Sequence, residues 1–280
     1  MRGAPTVSRL PPMTAAGEKR FEPTDIPLIT HEQFGSWVLR NDDDLLVVNK
    51  PPFVVVHPSK AGPWSSLVGA AREFTGLDRL HLVFRLDRET SGVVVLAKRR
   101  DLASRLQTAV QDRRVIKRYL AILQGEFSDR RDVNVPIGPD LGSVVYAKRR
   151  AAPAPDASPA QTIFHPLATG GGFTVVAALP VTGRTHQIRA HAEWLGHRVV
   201  GDKVYGPSAT CFLEFIEHGW SAALAQRLLL SRQALHCASV IFQLPEGAMG
   251  FTAPPTPDLV DFARERVGVD LLAVAAGAAT

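Results

Sequence analysis

The sequence predicts an α+β fold in which helices and loops flank a mixed, largely antiparallel central sheet. Apolar segments with strand-like patterns alternate along the chain with amphipathic segments of helical spacing. Several connections between the predicted strands are too short to hold a crossover helix, which argues against a purely parallel sheet. No composition break and no repeat of solenoid period divides the chain. We therefore expect one domain over residues 28–270, between a flexible leader (1–27) and a tail (271–280).

The first half of the chain interleaves predicted strands and helices. The segment "DDDLLVVNKPPFVVVHPS" predicts two short strands, because Pro51–Pro52 exclude one continuous central strand. The segment "WSSLVGAAREFTG" predicts a helix that begins at its serines and ends at Gly76. Val93–Ala97 predicts a buried strand, and "DLASRLQTAVQD" predicts a second amphipathic helix. The alternation in "VIKRYLAIL" predicts a strand that carries Lys117 and Tyr119 on the same side.

The second half begins with a predicted exposed loop, since residues 142–161 are rich in alanine, proline and arginine. The segment "TIFHPLATGGGFTVVAALP" predicts a hairpin that turns at Gly170–Gly172. A turn in "GRTHQIRAHAEWLG" leads into a short helix, which we expect Thr185 to cap and Gly196 to end. Residues 211–230 are polar and helical in pattern, and "LHCASVIFQLP" predicts a further strand.

The composition is that of an ordinary globular protein, with 45% hydrophobic and 21% charged residues among 280. No run of 18 or more apolar residues is present, so we expect no membrane association through a spanning helix. Residues 1–27 lack an apolar core of the length that a secretory signal requires, which leaves a disordered leader or a transit peptide. Without a secretory signal, Cys211 and Cys237 are expected to be reduced thiols in a cytoplasmic protein.

The charge balance is modestly basic, with a formal net charge of +5 and an isoelectric point of about 9.5. Three basic clusters, "KRRDLASR", "QDRRVIKR" and "YAKRR", lie between Lys98 and Arg150. Such clusters suit a polyanionic partner such as nucleic acid. Solvated charged faces explain them equally well, so charge alone does not decide between the two.

A group of histidines, His186, His191 and His197, lies near Glu193 in the sequence and raises the question of a zinc site. Its spacing does not match the His-Glu-x-x-His pattern, and residues five apart on a helix share a face poorly. The acids Asp42–Asp44 fit an exposed turn better than a magnesium site. We therefore expect no bound metal. The sequence also lacks phosphate-loop, Rossmann and Gly-x-Ser-x-Gly patterns, so nucleotide hydrolysis and serine-esterase chemistry have no support.

A single acid, Asp87 in "VFRLDRETSGVVVLAK", is the strongest catalytic candidate. An acid between Arg85 and Arg88 is by default a surface salt bridge of little energetic worth. Here the apolar run that follows indicates that the segment enters the core, and Thr90–Gly92 suit a loop of fixed shape. A carboxylate beside an arginine in a partly buried cleft stays ionised, with its pKa lowered by roughly 1–3 units. That state suits a nucleophile or general base, whereas glycoside hydrolysis needs a second acid.

Five segments resemble the pseudouridine synthases, in particular the RluA-like branch. They follow one another from about residue 45 to residue 257, about three quarters of the chain, and the Arg-Leu-Asp-x-x-Thr-Ser-Gly and Gly-Arg-Thr-His-Gln-Ile-Arg patterns are the most specific. The resemblance implies the pseudouridine synthase fold, with loops and helices around a catalytic cleft. The segments are "LLVVNKPPFVVVHPS", "FRLDRETSGVVVLAK", "VIKRYLAILQGEF", "VTGRTHQIRAHAEWLGHRVVGDKVYG" and "RQALHCASVIFQLP".

The resemblance also implies roles for nine residues in the isomerisation of uridine within RNA. Asp87 is the implied catalytic aspartate, which attacks the sugar anomeric carbon or takes the proton on C2′; the sequence leaves both routes open. Tyr119 is expected to stack on the uracil and assist removal of the C5 proton, and Arg189 is expected to pair with Asp87. The remaining residues are implied to bind RNA or substrate: Arg85, Thr90, Lys117, Arg184, His186 and Leu235.

The reaction implied by the resemblance needs no cofactor, since no group is transferred and no redox change occurs. The expected partner is structured RNA, either ribosomal or transfer RNA, with no protein partner and a monomeric chain. The stretch before Leu45 is too short for a separate N-terminal RNA-binding module. The chain has Phe84 where the family often has histidine, and Arg198 where proline is common. An RNA-binding protein without the chemistry, and a glycosidase or nucleosidase, are the alternative functions.

Overall fold

The structure, a computed structural model, describes residues 28–57 and 62–277. Its centre is a ten-stranded sheet in the order β1-β2-β4-β11-β5-β10-β9-β6, to which β12 adds beside β11 and β3 beside β4. All pairs in this sheet are antiparallel except β4 with β11. The predicted α+β class with a mixed, largely antiparallel sheet is therefore confirmed. The strands are β1 (Val38–Asn41), β2 (Leu45–Lys50), β3 (His81–Leu82), β4 (Ser91–Ala97), β5 (Val115–Gln124), β6 (Arg131–Asn134), β7 (Ile137–Pro139), β8 (Arg149–Ala151), β9 (Gln161–Gly170), β10 (Phe173–Pro180), β11 (Leu235–Leu244) and β12 (Gly247–Thr252).

Short helices surround this sheet, and a separate two-stranded sheet of β7 and β8 stands apart from it. A 3₁₀ turn precedes the second helix, and a π-helical turn follows the seventh. No helix in the described part of the chain is long and apolar enough to cross a bilayer. The helices are α1 (His31–Ser36), α2 (Leu67–Thr75), α3 (Arg100–Gln111), α4 (Gln187–Trp194), α5 (Thr210–His218), α6 (Ala222–Leu228), α7 (Pro257–Phe262) and α8 (Leu271–Gly277).

Strand β4 is the buried strand that the valine run predicts, and each of its residues is buried. It pairs with β11 in parallel only at its start, where Ser91 and Gly92 face His236 and Cys237. Gly92 has φ +114°, and a Cβ there would lie 2.2 Å from the carbonyl oxygen of Cys237. Only glycine permits this close approach. The contact fixes the end of β4 nearest to Asp87.

Local capping explains why several elements begin and end where the sequence predicts. The Ser66 side chain accepts the N–H of Gly69 and caps α2, and Gly76 ends that helix in the left-handed conformation. The hairpin of β9 and β10 turns through Gly171 and Gly172, whose φ values are +60° and +84°. Two consecutive positive φ values are typical of a two-residue hairpin turn and favour glycine strongly.

Two predicted segments differ from the structure. No strand forms after Pro51–Pro52, because the carbonyls of Pro51 and Val54 accept hydrogen bonds from the buried Lys50 Nζ at 2.9 and 3.1 Å. Backbone groups turned toward one side chain cannot join a ladder. The loop predicted over 142–161 contains β8 and buries several apolar side chains, namely Val145, Ala151 and Ala160.

The start of α4 and the region before β4 also differ from prediction. Thr185 does not cap α4; His186 occupies the cap position with φ +57°, and the Gln187 amide oxygen accepts the N–H of Arg184 at 3.0 Å. The Gln187 side chain thus fixes the turn in place of a threonine cap. The predicted Thr90–Gly92 loop ends earlier than expected, since β4 already begins at Ser91.

The main hydrophobic core joins both faces of the large sheet to the helices, with buried side chains from Ile29 to Leu271. The segment expected to be a tail contains α8, and Leu271 at its start is fully buried. A second, smaller apolar cluster lies between the β7–β8 strands and α4, and it contains Val145, Ala190 and Tyr205. This second cluster attaches a surface hairpin to the helix that carries Arg189.

Candidate active site

All nine residues singled out in the sequence line one cavity of about 570 Å³. Its walls come from the segment before β4, the middle of β5, the turn before α4 and the first residue of β11. A volume of this size matches sites that bind small molecules or single nucleotides. The structure therefore brings together residues that are up to 150 positions apart in the chain: Arg85, Asp87, Thr90, Lys117, Tyr119, Arg184, His186, Arg189 and Leu235.

The buried Arg189 guanidinium holds Asp87 at the wall of this cavity. Its Nη1 donates to Asp87 Oδ2 at 2.9 Å, and the Asp87 side chain keeps 34% of its surface exposed toward the cavity. This ion pair joins two residues that lie 102 positions apart in the sequence, and it is the pair that the family resemblance implies. Arg88, the neighbour of Asp87 in sequence, instead donates from its Nε to the carbonyl of Phe53.

Asp202, which the sequence did not single out, holds Arg189 from behind. Its carboxylate is fully buried and accepts from Arg189 Nε at 2.6 Å and from Nη2 at 2.8 Å. It also accepts the backbone N–H groups of Val204 and Tyr205. A bidentate pair fixes both the position and the plane of a guanidinium. Arg189 therefore points one remaining nitrogen at Asp87 in a set direction.

The Asp87 carboxyl is ionised at neutral pH. Burial alone raises its pKa, but the adjacent Arg189 charge and hydrogen bond outweigh burial and leave the pKa below its ordinary value. His186 Nε2 lies 3.8 Å from Asp87 Oδ2. Burial and the Arg189 charge lower the pKa of His186 to about 4, so this ring is uncharged at neutral pH. At neutral pH, therefore, Arg189 and not His186 is the cationic partner of Asp87.

A second uncharged histidine, His236, lies at the start of β11 and is fully buried. Its Nδ1 is 2.9 Å from the Ser91 hydroxyl and its Nε2 is 3.1 Å from the carbonyl of Ala253. A carbonyl can only accept, so Nε2 carries the proton and Nδ1 accepts from the hydroxyl. Burial lowers the pKa of His236 to about 4.

The stability of the fold is expected to fall between pH 7 and pH 5 because of His186 and His236. The unfolded chain binds a proton at each histidine below about pH 6.5, whereas the folded chain stays unprotonated until about pH 4. The unfolded state thus binds more protons in this window, and stability rises with pH. We expect a loss of about 2 kcal/mol per histidine from pH 7 to pH 5. Urea unfolding measures it, and His236→Asn should remove the contribution of that histidine, about 2 kcal/mol; an unchanged dependence would refute this assignment.

The loop from Asp87 to Thr90 is anchored at every residue by a buried side chain from elsewhere in the chain. Arg189 holds Asp87, and Thr90 Oγ1 accepts from Gln233 at 2.6 Å. Three of these anchoring side chains were not predicted from the sequence, although they lie in the segments "NKPP", "GDKVYG" and "RQALH" that carry the family resemblance. The missed anchors are Lys50 to the carbonyl of Arg88 at 3.1 Å, Lys203 to the carboxylate of Glu89 at 2.7 Å, and Gln233 to Thr90.

Tyr119 and Leu235 contribute to the apolar part of the cavity wall. They lie on adjacent strands, and Tyr119 faces Cys237 across the β5–β11 pair. Burial, followed by contact with Cys237, raises the pKa of Tyr119 well above its ordinary value. The phenol is therefore protonated at neutral pH. A flat aromatic ring at the cavity wall suits contact with a planar base.

Of the cavity cations Arg85, Lys117 and Arg184, only Lys117 belongs to a basic cluster predicted from the sequence, "QDRRVIKR". Arg85 and Arg184 are exposed, and neither forms an ion pair with a described carboxylate. Lys117 lies 4.4 Å from the centre of the Phe84 ring, the residue that replaces a common family histidine. By contrast, acids neutralise much of the predicted clusters: Arg99 pairs with Asp44 and Asp101, Arg114 with Asp112, and Lys148 with Asp140 and Glu193.

Asp87 is the only carboxylate among the described residues that line the cavity. The nearby Asp202 is fully buried and engaged by Arg189, so it cannot serve as the second acid of a glycosidase. Within residues 28–57 and 62–277, no cluster of three or more metal-ligating side chains occurs. The histidines considered for zinc have other contacts: His191 bonds Thr162 and the carbonyl of Val135, and His197 bonds the carbonyl of Gln124.

Comparison with known proteins agrees with this geometry. A family model described as RNA pseudouridylate synthase matches residues 44–194, which include Asp87, Tyr119 and Arg189. The chain belongs to the RNA pseudouridine synthase family. Members of this family are isomerases that convert uridine to pseudouridine in RNA, so this chain is a member of an isomerase family.

Relatives of this pseudouridine synthase share about a third of its sequence over most of its length. Ribosomal large subunit pseudouridine synthase D of Vibrio vulnificus is 34% identical, over 87% of this chain and 72% of that protein. An RNA pseudouridine synthase of Bacillus subtilis is 34% identical, over 79% of this chain and 73% of that protein. The RluA-like resemblance is therefore confirmed.

Solved structures agree on the fold of the synthase domain. Human RNA pseudouridylate synthase domain containing 1 is 25% identical, has a TM-score of 0.61, and the match covers 79% of this chain and 85% of that one. The human domain-containing 4 protein is 24% identical, with a TM-score of 0.64 and coverage of 84% and 94%. Both matches support the pseudouridine synthase fold.

Proposed function

We propose that this synthase isomerises specific uridines in structured ribosomal or transfer RNA, with Asp87 as its essential carboxylate. One observation carries the proposal: an ionised carboxylate, fixed by a buried arginine, stands at the wall of a cavity that holds no other acid among the described residues. A carboxylate in this state is equipped to attack carbon or to remove a proton, but not to donate one.

The reaction rearranges one nucleotide without an outside reagent. The bond from N1 of uracil to C1′ of the ribose breaks, the base rotates, and a bond from C5 to C1′ forms. The proton on C5 leaves and N1 gains a proton, so atoms and electrons balance without a cofactor. Asp87 Oδ2 is held by Arg189, whereas Oδ1 accepts no hydrogen bond from any described residue. Oδ1 is the atom we assign to attack on C1′ or to removal of the C2′ proton.

The uracil is proposed to lie between the Tyr119 ring and Leu235. Because the high pKa of Tyr119 keeps its phenol protonated, the hydroxyl is suited to relay the C5 proton as a neutral group and not to act as a phenolate base. The ring provides a stacking platform for a base that has left its helix or loop. Extruding a base costs a few kcal/mol, which such a platform and nearby cations offset.

RNA recognition is proposed to rest on Arg85, Lys117, Arg184, His186 and the region around Thr90. Because the Thr90 hydroxyl is bound by Gln233, its contribution is to the shape of the wall. The names of the Vibrio relatives favour ribosomal over transfer RNA as the substrate. We propose that this chain acts as a monomeric, cytoplasmic enzyme without a protein partner.

A tritium-release assay tests the proposed function. Unmodified large-subunit ribosomal RNA and unmodified transfer RNA are transcribed with tritium on C5 of uridine and incubated with the chain. Isomerisation releases the C5 hydrogen, so tritium should appear in water in an amount that corresponds to one or a few uridines per transcript. Binding without release from either RNA would favour an RNA-binding protein that has lost the chemistry.

RNA binding should depend more on the unpaired cavity cations Arg85 and Arg184 than on a cluster cation that acids already neutralise, such as Arg99. Each phosphate contact adds about −0.9 to the slope of log affinity against log salt for duplex, and about −0.7 for single strands. We expect Arg85→Met or Arg184→Met to reduce this slope by about one contact. Arg99→Met is the matched control, because Arg99 is already paired with Asp44 and Asp101. Equal effects of all three changes would refute the distinction.

A further inference from the structure

The hairpin formed by β7 and β8 (residues 137–151) presents three large apolar side chains to solvent. Leu141 is 87% exposed, Val144 69% and Tyr146 97%. Their burial would stabilise the fold, yet none of them packs against it. Exposed apolar groups gathered within six residues are typical of a contact surface for a partner.

The tip of this hairpin is fixed to the elements that form the catalytic cavity. Val145 lies between the exposed Val144 and Tyr146 but is itself only 2% exposed, and it packs in the second apolar cluster with Ala190 and Tyr205. The Arg149 N–H donates to the Tyr205 hydroxyl at 2.9 Å. Lys148 Nζ lies 2.9 Å from a Glu193 carboxylate oxygen on α4. The exposed side chains thus stand in a set position relative to Arg189.

The hairpin also carries positive charge that no described acid neutralises. Arg150 is exposed and Arg149 half-buried, and neither forms an ion pair with a described carboxylate. The charge of Arg149 contributes to lowering the pKa of His186, which lines the cavity. The Tyr205 hydroxyl that accepts the Arg149 N–H also lies 3.3 Å from His186 Nδ1, so Arg149 lies close to the cavity wall. Unpaired arginines complement phosphates, and an adjacent apolar and aromatic tip suits the faces of bases, so a nucleic acid strand matches both features.

We propose that the hairpin tip stacks on unpaired nucleotides that flank the target uridine, while Arg149 and Arg150 contact the adjacent phosphates. This inference rests on the proposed function for the identity of the target. Leu141, Val144 and Tyr146 offer apolar and aromatic faces that unstacked bases can meet, whereas a continuous duplex hides the faces of its bases. The chain therefore selects uridines in loops, bulges or opened helices over uridines within regular duplex.

Equilibrium binding to RNA tests this surface. The probes are unmodified large-subunit ribosomal RNA and unmodified transfer RNA, both transcribed in vitro. In a second set of probes, complementary oligonucleotides pair the nucleotides that flank the uridine that the chain modifies. Tyr146→Ala should raise Kd for the unpaired RNA about fivefold or more, and Tyr146→Trp should keep it near the wild-type value. With the flanking regions paired, Tyr146→Ala should change Kd less than twofold.

Ile216→Ser is the matched control, because Ile216 is 62% exposed and lies on α5, outside the hairpin. Circular dichroism and the urea midpoint confirm that each variant folds. If Tyr146→Ala leaves Kd unchanged while the wild-type chain releases tritium, the inference is overturned and the proposed function stands. If Tyr146→Ala weakens binding but the wild-type chain releases none, the surface stands and the proposed function does not. Loss of self-association in sedimentation, with Kd unchanged, would identify a protein interface instead and overturn the inference.

Discussion

Asp87→Asn is expected to lower the rate of pseudouridine formation by about 10⁴-fold or more, while the chain still folds and binds RNA. The amide keeps the shape of the side chain but supplies neither a nucleophile nor a base. Arg189 pairs with two carboxylates, Asp87 and Asp202. The bidentate pair with Asp202 remains in the variant, so the arginine stays fixed. Tritium release measures the rate, and equilibrium binding to the same RNA measures Kd.

Asp43→Asn is the control for the Asp87 variant, because Asp43 is exposed and lies in the turn between β1 and β2. Its tritium release should equal that of the wild-type chain. If Asp87→Asn retained more than about a tenth of the wild-type rate, neither attack on C1′ nor removal of the C2′ proton by this residue could be part of the reaction. A loss of RNA binding in parallel with the rate would instead assign Asp87 to binding.

Arg189→Met is expected to lower the free energy of unfolding by about 3–5 kcal/mol and to abolish turnover. Asp202 is fully buried, so removal of its bidentate partner leaves an uncompensated charge in the interior. The same change deprives Asp87 of the cation that keeps its pKa low and its orientation fixed. Urea unfolding measures the first effect, and tritium release measures the second.

The double variant Arg189→Met with Asp202→Asn separates stability from catalysis. The asparagine removes the buried charge, and its side-chain oxygen can still accept the N–H groups of Val204 and Tyr205. Much of the lost stability should return, because replacing both members of a buried ion pair is often close to neutral. Turnover should stay absent, since Asp87 still lacks its partner. Recovery of turnover along with stability would show that Arg189 acts only through the fold.

Local patterns predicted the elements whose ends depend on neighbouring residues. Ser66 and Gly76 set the ends of α2, and two adjacent glycines set the β9–β10 turn. The sequence failed where one distant side chain redirected the backbone. Lys50 draws two carbonyls out of a strand-like run after Pro51–Pro52, and Gln187 replaces the cap expected from Thr185. Such competition between side chain and ladder leaves no periodic signal in the sequence.

The nine predicted cavity residues lie in four of the five segments that resemble the family, of which those around Asp87 and around Arg189 are the most specific. The residues that support them were not predicted, although they too lie within the resembling segments. Asp202, Lys50 and Lys203 are buried ionisable side chains, and in a sequence they are indistinguishable from ionisable residues at the surface. Their function follows only from their partners in three dimensions. The acidic partners of Arg99 and Lys148 were unpredictable for the same reason, since the order of residues in the sequence does not reveal which charges meet.

The central claim is that this chain converts particular uridines to pseudouridine through Asp87. The most direct test is quantitative mapping of pseudouridines in the RNA of cells that carry the wild-type chain, lack it, or carry Asp87→Asn at equal abundance. We predict one or more uridines, in RNA regions with unpaired flanks, that are modified only with the wild-type chain. The same set of pseudouridines in all three kinds of cell, or full modification with Asp87→Asn, would contradict it.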